Sequence, residues 1–351
     1  MSRPPRIDGV ATTTTGLVGR APQGPVNQAV LVTSLVEYER VFGGPQAGHD
    51  LFVGTQLFFG NGGRRAWAVR LGGQSRTAIG RGLAALDAVD DLGLLCLPGL
   101  SSGQALAAAA AYARSRRAFF VAEAAATKAA TVTAVGAIAA AARGHAAVWF
   151  PRLEVPDPLQ PAARVQFGSS AAIAGLLVRT DIERGVWVFP TGSLQRTTGL
   201  TAAIDPHGAA LLRRDGVNAL RRVQGRGIRP WGARTVGSGR DSGEEWKYVP
   251  IRRTALYLEA SIDRGLGWAA FEPNEEPTWT QVRAVVAAFL EETFQMGAFA
   301  GRTREESYVV RCGLDTTTQR DIENGILVIE VGFAPLRPAE FVVFRIRHAW
   351  D

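Results

Sequence analysis

Residues 92–122 read LGLLCLPGLSSGQALAAAAAYARSRRAFFVA and contain one complete strand–helix–strand unit. The apolar run Leu92–Leu97 predicts a strand that ends at Pro98-Gly99, and an Ala-rich helix is predicted at about 102–115. A second apolar run, Ala118–Ala122, predicts the next strand. Strands that alternate with helices lie side by side in a parallel or mostly parallel sheet, whose two faces the helices cover. This stretch therefore predicts an α/β fold.

The same alternation extends to both sides of this unit. Further strands are predicted at Ala29–Val32, Ala66–Leu71, Ala146–Phe150, 308–312 and 326–333. Further helices are predicted from near Ser34, at 51–59, near 127–142, from Ile251 to before Gly265, and from Trp279 to Gly297. Thr278 and Gln281 have the spacing of a capping box for the last of these helices. The prolines of 151–163 predict a loop.

The C-terminal residues Phe341–His348 also predict a strand. Alternation places two sets of side chains on opposite faces: Val342, Phe344 and Ile346 on one, and Phe341, Val343, Arg345 and Arg347 on the other. Such a strand either pairs with an interior strand of its own chain or adds to the sheet of a neighbouring subunit. The pattern alone leaves both options open.

Composition restricts the classes of function. The chain has 351 residues, 46% of them hydrophobic, which is enough for a large core and two domains. The net charge of +7 comes from arginine, because Lys128 and Lys247 are the only lysines. The arginines are scattered, without a five-residue basic run, so no nucleic-acid partner is predicted. The N-terminus lacks the apolar core of a signal peptide, and Glu123–Ala142 is too polar to span a membrane. A protein made in the cytoplasm, without membrane insertion, is predicted.

No pattern of residues predicts catalysis or cofactor binding. The four histidines lack ligand spacing, Cys96 and Cys312 lie in apolar stretches typical of buried thiols, and phosphate-binding loops and nucleophile elbows are missing. No catalytic, cofactor-binding or metal-binding residue is therefore predicted. An α/β enzyme or small-ligand-binding protein that uses residues 76–150 is kept as an alternative. It requires an open cleft at the carboxyl ends of the strands, near Pro98 or Ala122.

A series of short segments resembles the contractile tail sheath proteins of phages, pyocins and extracellular contractile injection systems. The segments are Gly216–Leu220, Gly227–Thr235, Trp246–Arg253, Phe271–Asn274 and Arg337–Phe341, preceded by Phe58–Gly63 and Ala174–Trp187. Their order along the chain is that of the family. Eleven residues within these segments carry the resemblance and are called the signature residues: Asn218, Trp231, Gly232, Arg234, Arg252, Arg253, Glu272, Pro273, Asn274, Pro338 and Glu340.

The resemblance implies a structural subunit that polymerises with its own copies around an inner tube and contracts to drive that tube through a target envelope. It further implies baseplate and terminator or cap proteins as partners, basic residues that face an acidic tube, and assembly into a phage tail or tail-like particle. Terminal arms of family members add strands to neighbouring subunits. On this basis Phe341–Arg347 is the expected inter-subunit strand, and Ile7 and Val10 belong to the expected N-terminal arm.

The resemblance suggests four regions, with one departure from the family. Residues 1–20 are expected to be the N-terminal arm, 21–200 an outer α/β domain, 201–340 an inner lattice-forming domain, and 341–351 the C-terminal linker strand. Only five residues precede Arg6, so the arm is shorter than is usual in the family. A sheath-like component of a baseplate or cap therefore stays open as an alternative function.

Overall fold

The computed structural model describes residues 5–237, 246–336 and 342–349, and it confirms the α/β fold class. The chain divides into a large unit, Ala11–Arg252, and a small unit, Met1–Val10 with Arg253–Asp351. The division differs from the expected boundary at residue 201. Residues 201–252 belong to the large unit because the strand Asn218–Val223 pairs in parallel with Ala146–Phe150.

The large unit contains eleven strands in the described residues, in chain order β1 Thr15–Gly19, β2 Ala29–Val32, β3 Ala66–Arg70, β4 Leu94–Cys96, β5 Phe119–Ala122, β6 Ala146–Phe150, β7 Leu153–Pro156, β8 Arg164–Phe167, β9 Gly199–Leu200, β10 Asn218–Val223 and β11 Gly227–Trp231. Its helices are α1 Leu35–Phe42, α2 Leu51–Gly60, α3 Arg76–Ala84, α4 Gly103–Ser115, α5 Lys128–Ala142, α6 Ser170–Arg184 and α7 Pro206–Arg214. Helix α8, Val249–Gly265, starts in the large unit and continues in the small one.

Eight of these strands form one sheet in the order β11-β10-β6-β5-β4-β1-β3-β2. The pairs from β10 to β3 are parallel, and only β11 and β2, at the two edges, pair antiparallel. The central strands are continuous apolar runs because helices cover both faces, and β1, β4, β5 and β6 are buried along their whole lengths. The predicted mostly parallel sheet is thus confirmed.

Strand β1 corrects the expectation that residues 1–20 form an arm. Thr15–Gly19 lies between β3 and β4, and all five of its residues are buried. A buried central strand of this kind is part of the core and is not available for exchange with another subunit. Its apolar sequence, TGLVG, is what a parallel strand covered on both faces requires.

Several elements of the large unit were missed from the sequence, among them a second sheet and helix α6. The predicted loop at 151–163 contains β7, which pairs antiparallel with β8 and β9 in a separate three-stranded sheet. Pro156 and the short strand lengths hid this sheet. Helix α6 was missed because residues 170–178 are buried on all sides, so the helix lacks an amphipathic pattern.

The small unit combines two long helices with a three-stranded antiparallel sheet. Its other elements are α9 Glu276–Gln295, α10 Arg304–Ser307, α11 Gln319–Glu323, β12 Tyr308–Cys312, β13 Ile326–Phe333 and β14 Val342–Ala349. The sheet order is β12-β13-β14. Helix α9 begins three residues before the predicted Trp279, so Thr278 is not its cap; Pro277 suits the first turn, and Glu275 precedes it. In the described residues, no helix combines the length and apolarity needed to cross a membrane.

Candidate assembly site: the C-terminal strand and its acceptor sheet

Strand β14 closes the sheet of the small unit by pairing with β13 of the same chain. The antiparallel register runs from Phe333 opposite Val342 to Ile326 opposite Ala349. The strand predicted from the sequence is therefore present over residues 342–349, and Phe341 lies outside the described residues. Of the two options that the sequence left open, the structure contains the pairing within the chain. Pairing with a neighbouring subunit stays a prediction.

The inner face of β14 is apolar and buried. Val342, Phe344 and Ile346 are 2%, 7% and 3% exposed and lie opposite Phe333, Val331 and Ile329 of β13. Phe344 also meets the ring of Phe333 edge-on, with the ring centroids 6.4 Å apart. Burial of three such side chains stabilises the sheet by roughly 1.5–3 kcal/mol each. The sequence predicted this face correctly.

The outer face of β14 carries charge. Arg345 lies opposite Glu330, and its Nη2 is 2.8 Å from the Glu330 carboxylate. The same carboxylate lies 3.3 Å from Nη1 of Arg311 on β12. Arg347 contacts Asp321 of α11 at 2.5 Å. These ion pairs join β14 to elements that the sequence analysis had not linked to it.

Asp321 is held by its own helix as well as by β14. Thr318 and Asp321 form a capping box, in which the Thr318 hydroxyl donates to the carboxylate at 2.6 Å. The hydrogen bonds from Thr318, followed by the Arg347 guanidinium, lower the pKa of Asp321. The carboxylate therefore has hydrogen-bond partners on its own helix in addition to Arg347. The spacing of Thr318 and Asp321 was a readable signal, although it did not reveal the contact with Arg347.

The N-terminal residues assigned to an arm lie on the small unit of their own chain. Ile7 is 2% exposed and packs so closely on Gly265 that a Cβ there would lie 2.5 Å from it. The Val10 amide donates to the Ser261 hydroxyl at 3.1 Å, and Arg6 pairs with Glu292 at 3.0 Å. In this structure Ile7 is thus a buried residue of the small unit of its own chain, and its exchange with a neighbouring subunit stays a prediction.

Signature residues in the large unit brace the edge of the main sheet. Asn218 is buried, accepts the Arg234 amide at 2.7 Å and donates to the carbonyls of Arg234 and Val148. Gly232 has φ 122°, and a Cβ at this position would lie 3.1 Å from the Asn218 oxygen. Its carbonyl accepts from the Trp149 indole at 3.0 Å. Asn218 and Gly232 therefore hold the segment after β11 against β10 and β6.

The remaining signature side chains of the large unit each form a cation–π contact with a residue outside the signature. Arg221 lies 4.6 Å from the ring of the half-exposed Trp231, and Arg234 lies 5.8 Å from Tyr248. Arg252 is buried, with its guanidinium 4.4 Å from the Trp246 ring. Its Nη2 donates to Nε2 of His145 at 2.7 Å. Burial, followed by the charge of Arg252, lowers the pKa of His145 to about 3.

Acid is expected to destabilise the large unit through His145. The folded chain keeps this imidazole neutral, whereas the unfolded chain protonates it near pH 6.5, so the contribution is complete above pH 6.5 and is lost as the pH falls towards 3. We expect a decrease in the free energy of unfolding of up to about 3 kcal/mol by pH 4. Denaturant unfolding from pH 7.5 to pH 4 should show a smaller decrease for His145→Gln. The exposed His207→Gln serves as control; equal pH profiles for wild type and His145→Gln would contradict the assignment.

Signature residues of the small unit orient the start of α9. The Asn274 oxygen accepts from the Trp279 indole at 2.7 Å, and its Nδ2 donates to the Ile326 carbonyl at 3.2 Å. Glu272 and Pro273 are exposed, and Arg253 is buried. Pro338 and Glu340 lie outside the described residues. The signature residues therefore do not converge on one point, and those with assigned contacts stabilise the fold.

A buried carboxylate lies at the carboxyl ends of the parallel strands, where the enzyme alternative requires a cleft. Pro98 and Ala122 are buried, and the Glu123 carboxylate accepts the amides of Gly99 at 3.2 Å and Ser170 at 3.1 Å. Burial raises the pKa of Glu123. A cavity of about 330 Å³ opens elsewhere, lined in part by Glu154, Arg164 and Arg222. Pro98 and Ala122 are thus buried, and the adjacent Glu123 anchors the start of α6.

The cysteines and the other metal-ligating types do not form a reactive centre in the described ranges. Cys96 and Cys312 are buried free thiols, and burial raises the pKa of both. Histidine, cysteine and acidic side chains do not cluster in groups of three or more that could hold a metal ion, as far as the described residues extend.

Comparison with known proteins assigns the class. Residues 241–349 match the family model of the phage tail sheath C-terminal domain. The structure is similar to that of the anti-feeding prophage helical sheath in the contracted state, with 28% identity, a TM-score of 0.79, and coverage of 99% of this chain and 96% of that one. The PVC sheath complex of an extracellular contractile injection system, also in the contracted state, is 26% identical, with a TM-score of 0.76 and coverage of 97% of this chain and 93% of that one. A chain of the six-fold symmetrised anti-feeding prophage baseplate is 28% identical, with a TM-score of 0.77 and coverage of 99% of this chain and 96% of that one. No curated protein matches.

The fold and its C-terminal sheet domain thus define a subunit of a contractile tail sheath, a structural protein. The resemblance to contractile tail sheath proteins that the series of sequence segments predicted is confirmed by the family-model match and by the two sheath structures.

Proposed function

We propose that this protein polymerises with its own copies around an inner tube and that contraction of the polymer drives the tube through a target envelope. The observation that carries the proposal is the match to a contracted helical sheath along 99% of this chain at 28% identity. An inner tube protein, a baseplate and a terminator or cap protein are the partners this function requires. The subunit is made in the cytoplasm and assembled into a phage tail or tail-like injection particle.

The small unit is the part that forms the lattice in this proposal, and the large unit is directed outward. The small unit contains the family-model match and the strand β14, whose main chain can pair with any exposed strand edge. It also exposes large apolar side chains, of which Phe271 is 90% and Leu314 is 74% exposed. Surfaces of this kind are typical of protein–protein contacts when they are contiguous.

Strand exchange gives the proposed polymer its mechanical continuity. When residues 341–347 of one subunit pair with the sheet of the next, the backbone hydrogen bonds contribute roughly 0.5–1.5 kcal/mol each and link the subunits into a mesh. Linked subunits can repack between two discrete lattices without separating. The free energy of contraction then resides in the contacts between subunits, and catalysis is not required.

Negative-stain electron microscopy of the purified full-length chain tests the function. Long hollow cylinders are the expected result, because a sheath subunit contains all the surfaces needed for its own lattice. A strictly monomeric protein at high concentration would count against it. The baseplate-like similarity supports a second candidate, a sheath-like baseplate or cap component. Closed rings that never lengthen into cylinders would favour that candidate.

A further inference from the structure

Every ionisable residue in β14 is basic, and each one contacts a carboxylate on a different element. Arg345 pairs with Glu330 of β13 at 2.8 Å, and Arg347 pairs with Asp321 of α11 at 2.5 Å. Nδ1 of His348 lies 3.5 Å from Asp263 of α8. The strand is thus a basic segment, and the surface that receives it is acidic at three points.

The acidic side of these pairs is recessed and belongs to the body of the small unit. The side chains of Glu330 and Asp321 are 12% exposed, whereas those of Arg345 and Arg347 are 69% and 58% exposed. Glu330 is also held by Arg311, and Asp321 is held by Thr318. The carboxylates therefore have partners that keep them in place independently of β14, as the side chains of a preformed acceptor should.

These charges distinguish the observed register from its nearest competitors. A shift of β14 by one residue would turn its apolar face outward, so that shift is already excluded by burial. A shift by two residues keeps Val342, Phe344 and Ile346 on the inner face, where any of them can pack against the apolar residues of β13. Such a shift places Arg347 or Val343 opposite Glu330, depending on its direction, and moves Arg345 away from Glu330. The apolar face thus sets which side is buried, and the Arg345–Glu330 and Arg347–Asp321 pairs occur together only in the observed register.

The connection to β14 is longer than a tight hairpin turn requires. Eight residues, 334–341, separate the paired residues Phe333 and Val342, whereas hairpins with tight turns need two to five. Ala334 is hydrogen-bonded to the backbone of Ser307 and Ala300, and Pro335 forms a bridge with Phe299. The six residues 336–341 that remain span up to about 20 Å when fully extended. A connection of this length does not confine the strand to the sheet of its own chain.

We propose that Glu330, Asp321 and Asp263 form a receptor that selects the basic C-terminal strand of a second copy of this chain and fixes its register. The inference rests on the proposed function, since it assigns to strand exchange the residues that make it specific. Backbone pairing accepts almost any extended segment, and specificity comes from the side chains. Opposite charges directly across the strands favour the correct partner, and like charges there disfavour the wrong one.

Charge reversal in two separate full-length chains tests the receptor. The acceptor variant is Glu330→Arg with Arg311→Glu, which keeps an ion pair between β12 and β13 and repels Arg345. The strand variant is Arg345→Glu. In sedimentation, each variant alone is expected to form at least tenfold less polymer than wild type. An equimolar mixture of the two variants should form as much polymer as wild type. In the mixture, each strand finds an acceptor of opposite charge only on the other chain.

Other results would overturn the inference. If each variant polymerises like wild type, these charges do not select the strand. If the mixture stays depolymerised while a single chain with all three substitutions polymerises, the strand pairs only within its own chain. In both cases wild-type cylinders would still support the sheath function, so the two failures are distinguishable; a wild type that forms no polymer would reject both.

A variant with uncharged side chains on β14 keeps the test valid if the charge-reversal variants fail to fold. Arg345→Gln with Arg347→Gln leaves all receptor residues unchanged, and circular dichroism checks that the chain is folded. We expect the protein concentration needed for polymerisation to increase about tenfold. An unchanged threshold would overturn the proposal. Arg302→Gln, at an exposed position in the same unit, is the matched control and should leave the threshold unaltered.

Discussion

Deletion of residues 342–351 is expected to abolish cylinders and also to destabilise the small unit. From the sequence alone, the segment looks like a detachable linker whose loss leaves a folded monomer. The structure changes that expectation, because the deletion uncovers Ile329, Val331 and Phe333 and removes the three buried side chains opposite them. The lost burial is roughly 5–9 kcal/mol before chain entropy is counted, which is comparable with the stability of a whole domain.

Two measurements separate the effects of this deletion on assembly and on folding. Electron microscopy reports cylinders, and denaturant unfolding with hydrogen exchange reports the small unit. Deletion of residues 350 and 351 alone keeps all of β14 and is the control. Normal cylinders from the chain that lacks residues 342–351 would show that the strand is dispensable for assembly.

Glu123→Met is expected to lower the stability of the large unit by about 2–5 kcal/mol. The substitution keeps the volume of the side chain and removes the acceptor of two amides, those of Gly99 and Ser170. Both amides would remain in a buried region without a partner, and each orphaned donor costs about 1–3 kcal/mol. In a unit of this size we expect the melting temperature to decrease by about 5–15 °C.

Differential scanning calorimetry measures this effect, and an exposed residue of α6 supplies a matched control. Glu183→Met makes the same chemical change where solvent replaces the lost carboxylate. It should alter the melting temperature little. An equal and small change in both variants would mean that Glu123 does not anchor α6. Cylinders formed by Glu123→Met at low temperature would be consistent with a structural role of this residue remote from the lattice.

Much of the fold was predictable because local pattern and tertiary environment agree. The runs at Ala29–Val32, Ala146–Phe150, 308–312 and 326–333 form the strands predicted for them. Each is an apolar or alternating run bounded by turn or helix signals. Helix α6 and the small sheet of β7, β8 and β9 were missed, because a fully buried helix and four-residue strands lack a distinctive period.

The candidate site was only half predictable. The sequence indicated the strand, its apolar face and the position of its arginines. It did not indicate Glu330, Asp321 or Asp263 as their partners, because these residues come from three elements and lie at unrelated distances along the chain. Nor did it indicate that Ile7 is buried against Gly265 of its own chain. Contacts between distant segments leave no periodic signal in either of them.

The sequence by itself thus determined the α/β class, the resemblance to tail sheath proteins, and the alternation that gives β14 one apolar and one basic face. These features follow from short-range periodicity and from local segments. Only the tertiary structure decided that residues 201–252 complete the large unit, that Thr15–Gly19 is a central strand and that Glu123 anchors the start of α6. It also decided which carboxylates meet the basic strand. The reason is physical: burial and ion pairing depend on which distant segments become neighbours, and folding alone establishes that.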